Sequence, residues 1–199
     1  MSDDGPGQGP DALTGAGPDD GPGPRPDAAL RLLRWTMTTG SSGTARAAVV
    51  LAAGDHEWDA TSESAGAIGA LYDAVDAALE EVLGGRVRLV AFAVQAIGET
   101  AGADALVELA VEPPATATGV RADGRYPGNA RHVNLVAACA EAYLAAIRAL
   151  LADEAWAGAT EAAGNARLAE LRARAQRAGG RAELDESQAD DLGGSWFDR

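Results

Sequence analysis

From residue 30 onward the chain alternates apolar and polar positions with two different periods. Leu30 to Thr39 and Thr44 to Ala53 read as strands, and Gly40-Ser41-Ser42-Gly43 between them is turn composition. A shorter strand, His56 to Thr61, follows the Gly54-Asp55 turn signal. The period then changes. Ile68, Leu71, Tyr72, Val75, Leu79 and Val82 recur at three- and four-residue spacing, which predicts an amphipathic helix over Ala67 to Leu83. Ser64 is the expected N-cap, and Gly84-Gly85 ends the helix.

The same order follows a second time. Val87 to Ile97 is strongly strand-like. A glycine-bearing loop from Gly98 to Asp104 leads to a strand over Ala105 to Glu112, closed by Pro113-Pro114. A weakly marked strand lies between Gly119 and His132. Val133 to Leu151 then predicts a second helix with Val136, Cys139, Ala140, Tyr143, Ile147 and Leu150 inward. Tyr72 and Tyr143 are read as matching points of the two helices, as are Leu79 and Leu150. The fold class is α+β: duplicated β-β-β-α units, antiparallel sheets each covered by an amphipathic helix.

The flanks differ in kind. Residues 1–28 are rich in Pro, Gly and Asp and cannot bury enough apolar surface to offset their ordering entropy, so a disordered arm is expected. Residues 29–152 form the domain. Residues 153–199 form a polar tail, with a weakly anchored helix over Ala155 to Ala178, an acidic solvated run from Glu183 to Asp191, and the pair Trp196-Phe197.

Charge removes several classes of function. Thirty acidic against 16 basic residues leave a net charge of −14, which repels nucleic acid and anionic membrane surfaces. No run is long and apolar enough for a membrane span, because Glu141 and Arg148 interrupt the best candidate. The N-terminus lacks a basic start and an apolar run, so a cytoplasmic protein is expected. One Cys and two His make a zinc site improbable, and no metal or cofactor is expected. The loop Gly98 to Gly102 lacks the GxxxxGK[ST] spacing of a phosphate cradle. Cys139 is read as core. Asp73 and Asp76 are read as solvated helix positions, His56 as a solvated residue beside a turn, and Trp156 as part of the tail.

Three stretches carry a family resemblance. They are Gly66-Ala67-Ile68-Gly69-Ala70-Leu71-Tyr72, the strand-loop-strand of residues 94–107, and Asn134-Leu135-Val136-Ala137-Ala138-Cys139-Ala140-Glu141-Ala142-Tyr143-Leu144. With the duplicated β-β-β-α order, they make residues 31–151 similar to the C-terminal allosteric (dimerisation) domain of 2-isopropylmalate synthase, the leucine-feedback domain of leucine biosynthesis. The chain departs from that family where Ser62-Glu63-Ser64 replaces a Gly-x-Gly, and where Asn134 replaces an aspartate. The family's enzymes carry a catalytic (β/α)8 barrel and an HxH metal pair that this sequence lacks, so a stand-alone regulatory domain that is not an enzyme is expected. The resemblance implies a homodimer, binding of leucine or a related small amino or keto acid, and a separate synthase catalytic subunit as a possible partner.

An amino-acid effector needs N–H donors for its carboxylate, oxygen for its ammonium and an apolar pocket. The two helix entrances supply small residues and backbone donors. The expected effector-binding residues are Ser64, Ala65, Gly66, Ala67, His132 and Asn134, with Asp104 or Glu63 facing the ammonium. Two other readings stay open. One is a structural dimerisation scaffold with no ligand. The other is a specialised-pathway enzyme in which Ser62-Glu63-Ser64 and Asn134 are active-site changes, although no nucleophile–base pair is visible.

Overall fold

The computed structural model describes residues 29–98, 103–117 and 124–193, with side chains to residue 177. The N-terminal arm, part of the glycine-bearing loop, the acidic run's side chains and Trp196-Phe197 lie outside the described residues. Strands β1 (Arg31–Thr39), β2 (Thr44–Ala53) and β3 (His56–Ala65) precede helix α1 (Ala67–Leu83). Strands β4 (Arg88–Ile97), β5 (Asp104–Glu112) and β6 (Tyr126–His132) precede helix α2 (Leu135–Leu151). A 3-10 turn, Glu154–Trp156, leads into α3 (Ala159–Gly193). The strands form two antiparallel three-stranded sheets in the orders β1-β2-β3 and β4-β5-β6. Helix α1 packs on β2 and β3, and α2 packs on β5 and β6. The duplicated α+β architecture expected from the hydrophobic pattern is the one observed.

The duplication extends to irregularities. β1 slips register between Leu32 and Arg34, and β4 slips between Leu89 and Ala91. One extra residue at a bulge lets positions three apart share a face. Leu32 and Trp35 therefore both face inward, opposite Leu51 and Val49, and Leu89 and Phe92 do so opposite Val111 and Leu109. At the inner end of each third strand, Trp58 and Tyr126 are fully buried.

The helices match in a register different from the expected one. Setting Ala67 beside Leu135 superimposes the buried positions of α1 and α2, from Ala70 with Ala138 to Val82 with Leu150. Tyr72 then matches Ala140, and Tyr143 matches Val75. The expected pairing of the two tyrosines is off by about one turn, a slip that leaves both on the inward face. The same alignment explains a difference between the halves. The Tyr126 hydroxyl bonds Asp153 at 2.8 Å, just after α2. Gly85 holds the corresponding place after α1, and Trp58 Nε1 has no hydrogen-bond partner among the described residues.

Several local expectations are corrected. β3 runs to Ala65, so Ser64 is a strand residue and Gly66 is the N-cap of α1, with no side-chain capping bond. A glycine is needed there because φ is 82°. α2 begins at Leu135 after the N-cap Asn134, two residues later than its apolar pattern starts. Trp156 is buried and joins the core instead of lying in a free tail. His56 is half-buried, because α3 crosses it at Gly164, where any Cβ would collide with the imidazole ring. Arg167 of α3 also pairs with Asp59 of β3 at 3.1 Å. Asp76 is the largest correction: it is 7% exposed, inside the seam between α1 and α2.

Candidate functional site

The two helix entrances, alike in sequence, differ in how their donors are used. At α1, the chain turns sharply out of β3 at Gly66, whose N–H donates to the Gly43 carbonyl at 2.9 Å in the β1–β2 turn. This bond fixes the entrance against the first hairpin. The Ser62 hydroxyl donates to the Ala70 carbonyl at 3.0 Å. No side chain caps the first turn. The N–H groups of Ala67, Ile68 and Gly69 thus retain the partial positive charge of a helix start. The Ser64 hydroxyl lies beside this turn, 3.4 Å from where a Cβ on Gly69 would be.

At α2 the donors are already engaged. Asn134 Oδ1 accepts from Val136 N at 2.9 Å and Ala137 N at 3.3 Å. His132 Nδ1 accepts from Asn134 N at 2.8 Å. This is a self-capped helix start, the commonest use of an asparagine at such a position. Asp104 is likewise committed, since its Oδ2 accepts from Arg131 Nε at 2.7 Å. The structure gathers Asp104, His132 and Asn134 at one end of the second sheet, where Ala105 pairs with His132. It leaves the α1 entrance, Ser64 to Ala67, beside the uncapped donors of Ala67, Ile68 and Gly69. Glu63 pairs with Arg46 at 2.7 Å on an exposed rim.

Between the helices lies a polar cluster of Tyr72, Tyr143, the Cys139 carbonyl and Asp76, of which only Asp76 was expected in solvent. Tyr72 and Tyr143 stack with ring centroids 4.1 Å apart and planes 15° from parallel. The Tyr72 hydroxyl donates to the Cys139 carbonyl at 3.3 Å, and the Tyr143 hydroxyl donates to Asp76 Oδ1 at 2.6 Å. Burial pushes the Asp76 carboxyl up to about 6, and the Tyr143 bond and the Arg86 charge only partly offset this. Burial also pushes both tyrosines and the Cys139 thiol upward, so these groups stay neutral and none is an activated nucleophile. The signal for the cluster was present in the sequence. Asp76 stands four residues after Tyr72, on the apolar stripe and not opposite it.

A third feature is an uncovered apolar face. Leu89, Phe92 and Val94 share the helix-facing side of β4 with the buried Leu109, Val107 and Val111 of β5. Yet Phe92 is 46% exposed and Val94 43% exposed, because α2 covers β5 and β6 and does not reach the edge strand. Phe92 meets the Tyr72 ring edge-on, at 6.5 Å between centroids. The matching row on β1, Leu32, Trp35 and Met37, is partly buried against the core.

Among the described residues no group of three or more His, Cys, Asp or Glu is placed to hold a metal ion. No single helix there is long and apolar enough to cross a membrane. Comparison with family models matches residues 21–151, well over half of the chain, to the LeuA allosteric (dimerisation) domain. The chain belongs to that family. The LeuA allosteric domain is the dimerisation domain of 2-isopropylmalate synthase, so the matched part of this chain is a regulatory unit and not a catalytic one. A search of curated proteins finds no match.

Proposed function

We propose that this LeuA-type domain pairs with a second copy of itself through the inner face of β4 and binds a small amino or keto acid, leucine first, at the α1 entrance. The observation that carries the reading is the row Leu89, Phe92 and Val94. It is a helix-facing strand surface left open at an edge, in a domain whose family is defined by dimerisation. Edge strands with exposed apolar rows are surfaces that a second chain covers. At α1, the uncapped first turn and the Ser64 hydroxyl offer donors to a carboxylate, and Ala65, Gly66 and Ala67 leave room for it. The domain would then act on a separately folded synthase, in the cytoplasm, without catalysing a reaction itself.

The α2 entrance supports the reading less. Its donors are bound by Asn134, and Asp104 is held by Arg131, so ligand binding there requires those local bonds to exchange. This observation favours, as a second reading, a dimerisation scaffold with no effector.

The two are separated by thermal shift of the full chain against leucine, isoleucine, valine and their 2-keto acids. A concentration-dependent rise in melting temperature is expected with one of them, because a ligand that binds only the folded state stabilises it. Loss of that rise in Ser64→Ala, with the unliganded melting temperature unchanged, would locate the site at α1. No shift with any compound leaves the scaffold reading.

A further inference from the structure

A groove with a volume of about 740 Å³ lies where β1 of the first half meets β6 and α2 of the second. Its lining is unusual for a chain this acidic. Arg31 and Arg148 both line it, and Arg148 Nε donates to the carbonyl of Leu30, the residue next to Arg31, at 2.6 Å, which holds the Arg148 side chain at the start of β1. Neither guanidinium has a carboxylate within ion-pair distance among the described residues. The apolar wall is Leu32 and Trp35 from β1 and Leu144 from α2. Glu141, also without an ion-pair partner there, closes the far end, seven residues before Arg148 on the same helix face and so about 10 Å away.

The first half has no equivalent. With the helices aligned, Arg148 corresponds to Glu80, a charge of the opposite sign, and Arg31 corresponds to Arg88 at the start of β4, which is neutralised by Glu112. The groove is therefore not a by-product of the duplicated fold.

We propose that this groove binds a short-chain aliphatic monocarboxylate, its carboxylate between Arg31 and Arg148 and its tail along Leu32, Trp35 and Leu144 toward Glu141. Planar guanidinium groups match a carboxylate fork, and arginine stays charged at every working pH. The apolar wall excludes a bare inorganic anion as the best ligand, since that would leave the wall unfilled. Glu141 selects against a second carboxylate at the tail end by like-charge repulsion. The site shares no residue with the proposed effector site at α1 and does not depend on it.

The test is a titration of the full chain with hexanoate, adipate, hexanol and inorganic phosphate, followed by NMR of the Trp35 indole and the Arg31 and Arg148 Nε–H signals. Saturable shifts of all three signals with hexanoate are expected, with the other three compounds binding more weakly. Arg31→Gln, at an exposed residue with no structural bond, is expected to weaken hexanoate about tenfold, the loss of one charge-assisted contact. Glu141→Gln is expected to raise adipate to the affinity of hexanoate. The proposal is overturned if hexanol or phosphate binds as well as hexanoate, if the three signals do not move, or if Arg31→Gln binds hexanoate unchanged.

Discussion

The Tyr143 hydroxyl donates to Asp76 Oδ1 at 2.6 Å across the seam between α1 and α2, so the one buried carboxylate among the described residues joins the two halves of the duplication. Its titration sets a pH dependence. The folded-state value of about 6 lies above the usual value near 4 of an unfolded aspartate. The folded protein therefore holds the extra proton between about pH 4 and pH 6, and this group's contribution to stability falls as pH rises through that window. The loss is on the order of 2–3 kcal/mol by pH 7. In Asp76→Asn the Tyr143 bond survives but the charge does not. The variant should be more stable than the parent at pH 7.5 and lose that advantage at pH 4.5, as read from urea denaturation midpoints. Equal differences at both pH values would contradict the assignment.

Tyr143→Phe removes the donor and leaves Asp76 buried without it. A destabilisation of about 1–3 kcal/mol at pH 7.5 is expected, shrinking at low pH where the carboxyl is neutral. Tyr72→Phe should cost less, because its bond to the Cys139 carbonyl is longer, at 3.3 Å, and joins neutral groups. Denaturation of both variants side by side checks the order.

Two glycines should respond to alanine with opposite signs. Gly128 of β6 lies so close to α2 that a Cβ would collide with the Ala142 carbonyl and the Ala146 backbone. Gly128→Ala should lower stability by about 2–3 kcal/mol through overpacking. Gly69, in the first turn of α1, has only the Ser64 hydroxyl near its missing Cβ, at 3.4 Å. Gly69→Ala should raise stability by about 0.5–1 kcal/mol from helix propensity. A gain from Gly128→Ala would show that β6 does not rest on α2 as described.

Much of this fold was legible in the sequence. The period change at Ala67, the apolar run of β4 and the Gly84-Gly85 stop each carry a local cause that tertiary structure left alone. What escaped was set by contacts between distant segments. Ser64 has the chemistry of an N-cap, but pairing with Ala45 holds it in β3 and moves the cap to Gly66. Asp76 looked solvated because aspartate usually is, and only the crossing of α1 and α2 brings Tyr143 to it. His56 and Trp156 seemed peripheral until α3 and the turn before it folded back. At the site, the sequence named both helix entrances, but it could not show that Asn134 turns its own oxygen onto α2 while α1 stays uncapped.

The approach of α3 to the domain is tightest at Gly164. Gly164→Val would place a branched side chain in the space of the His56 ring. The expected outcome is release of α3, seen as rapid proteolysis between Trp156 and Arg177, with the rest of the domain still folded and cooperative. Unchanged protection of that segment would show that α3 is held by contacts other than His56 and the Arg167–Asp59 pair.

Sedimentation equilibrium of the full chain shows whether two copies pair through β4. A dimer is expected at micromolar concentrations, and a folded monomer for Phe92→Glu, whose charge would be buried without a partner in the interface. A parent chain that sediments as a monomer, or a Phe92→Glu variant that stays dimeric, would contradict that pairing.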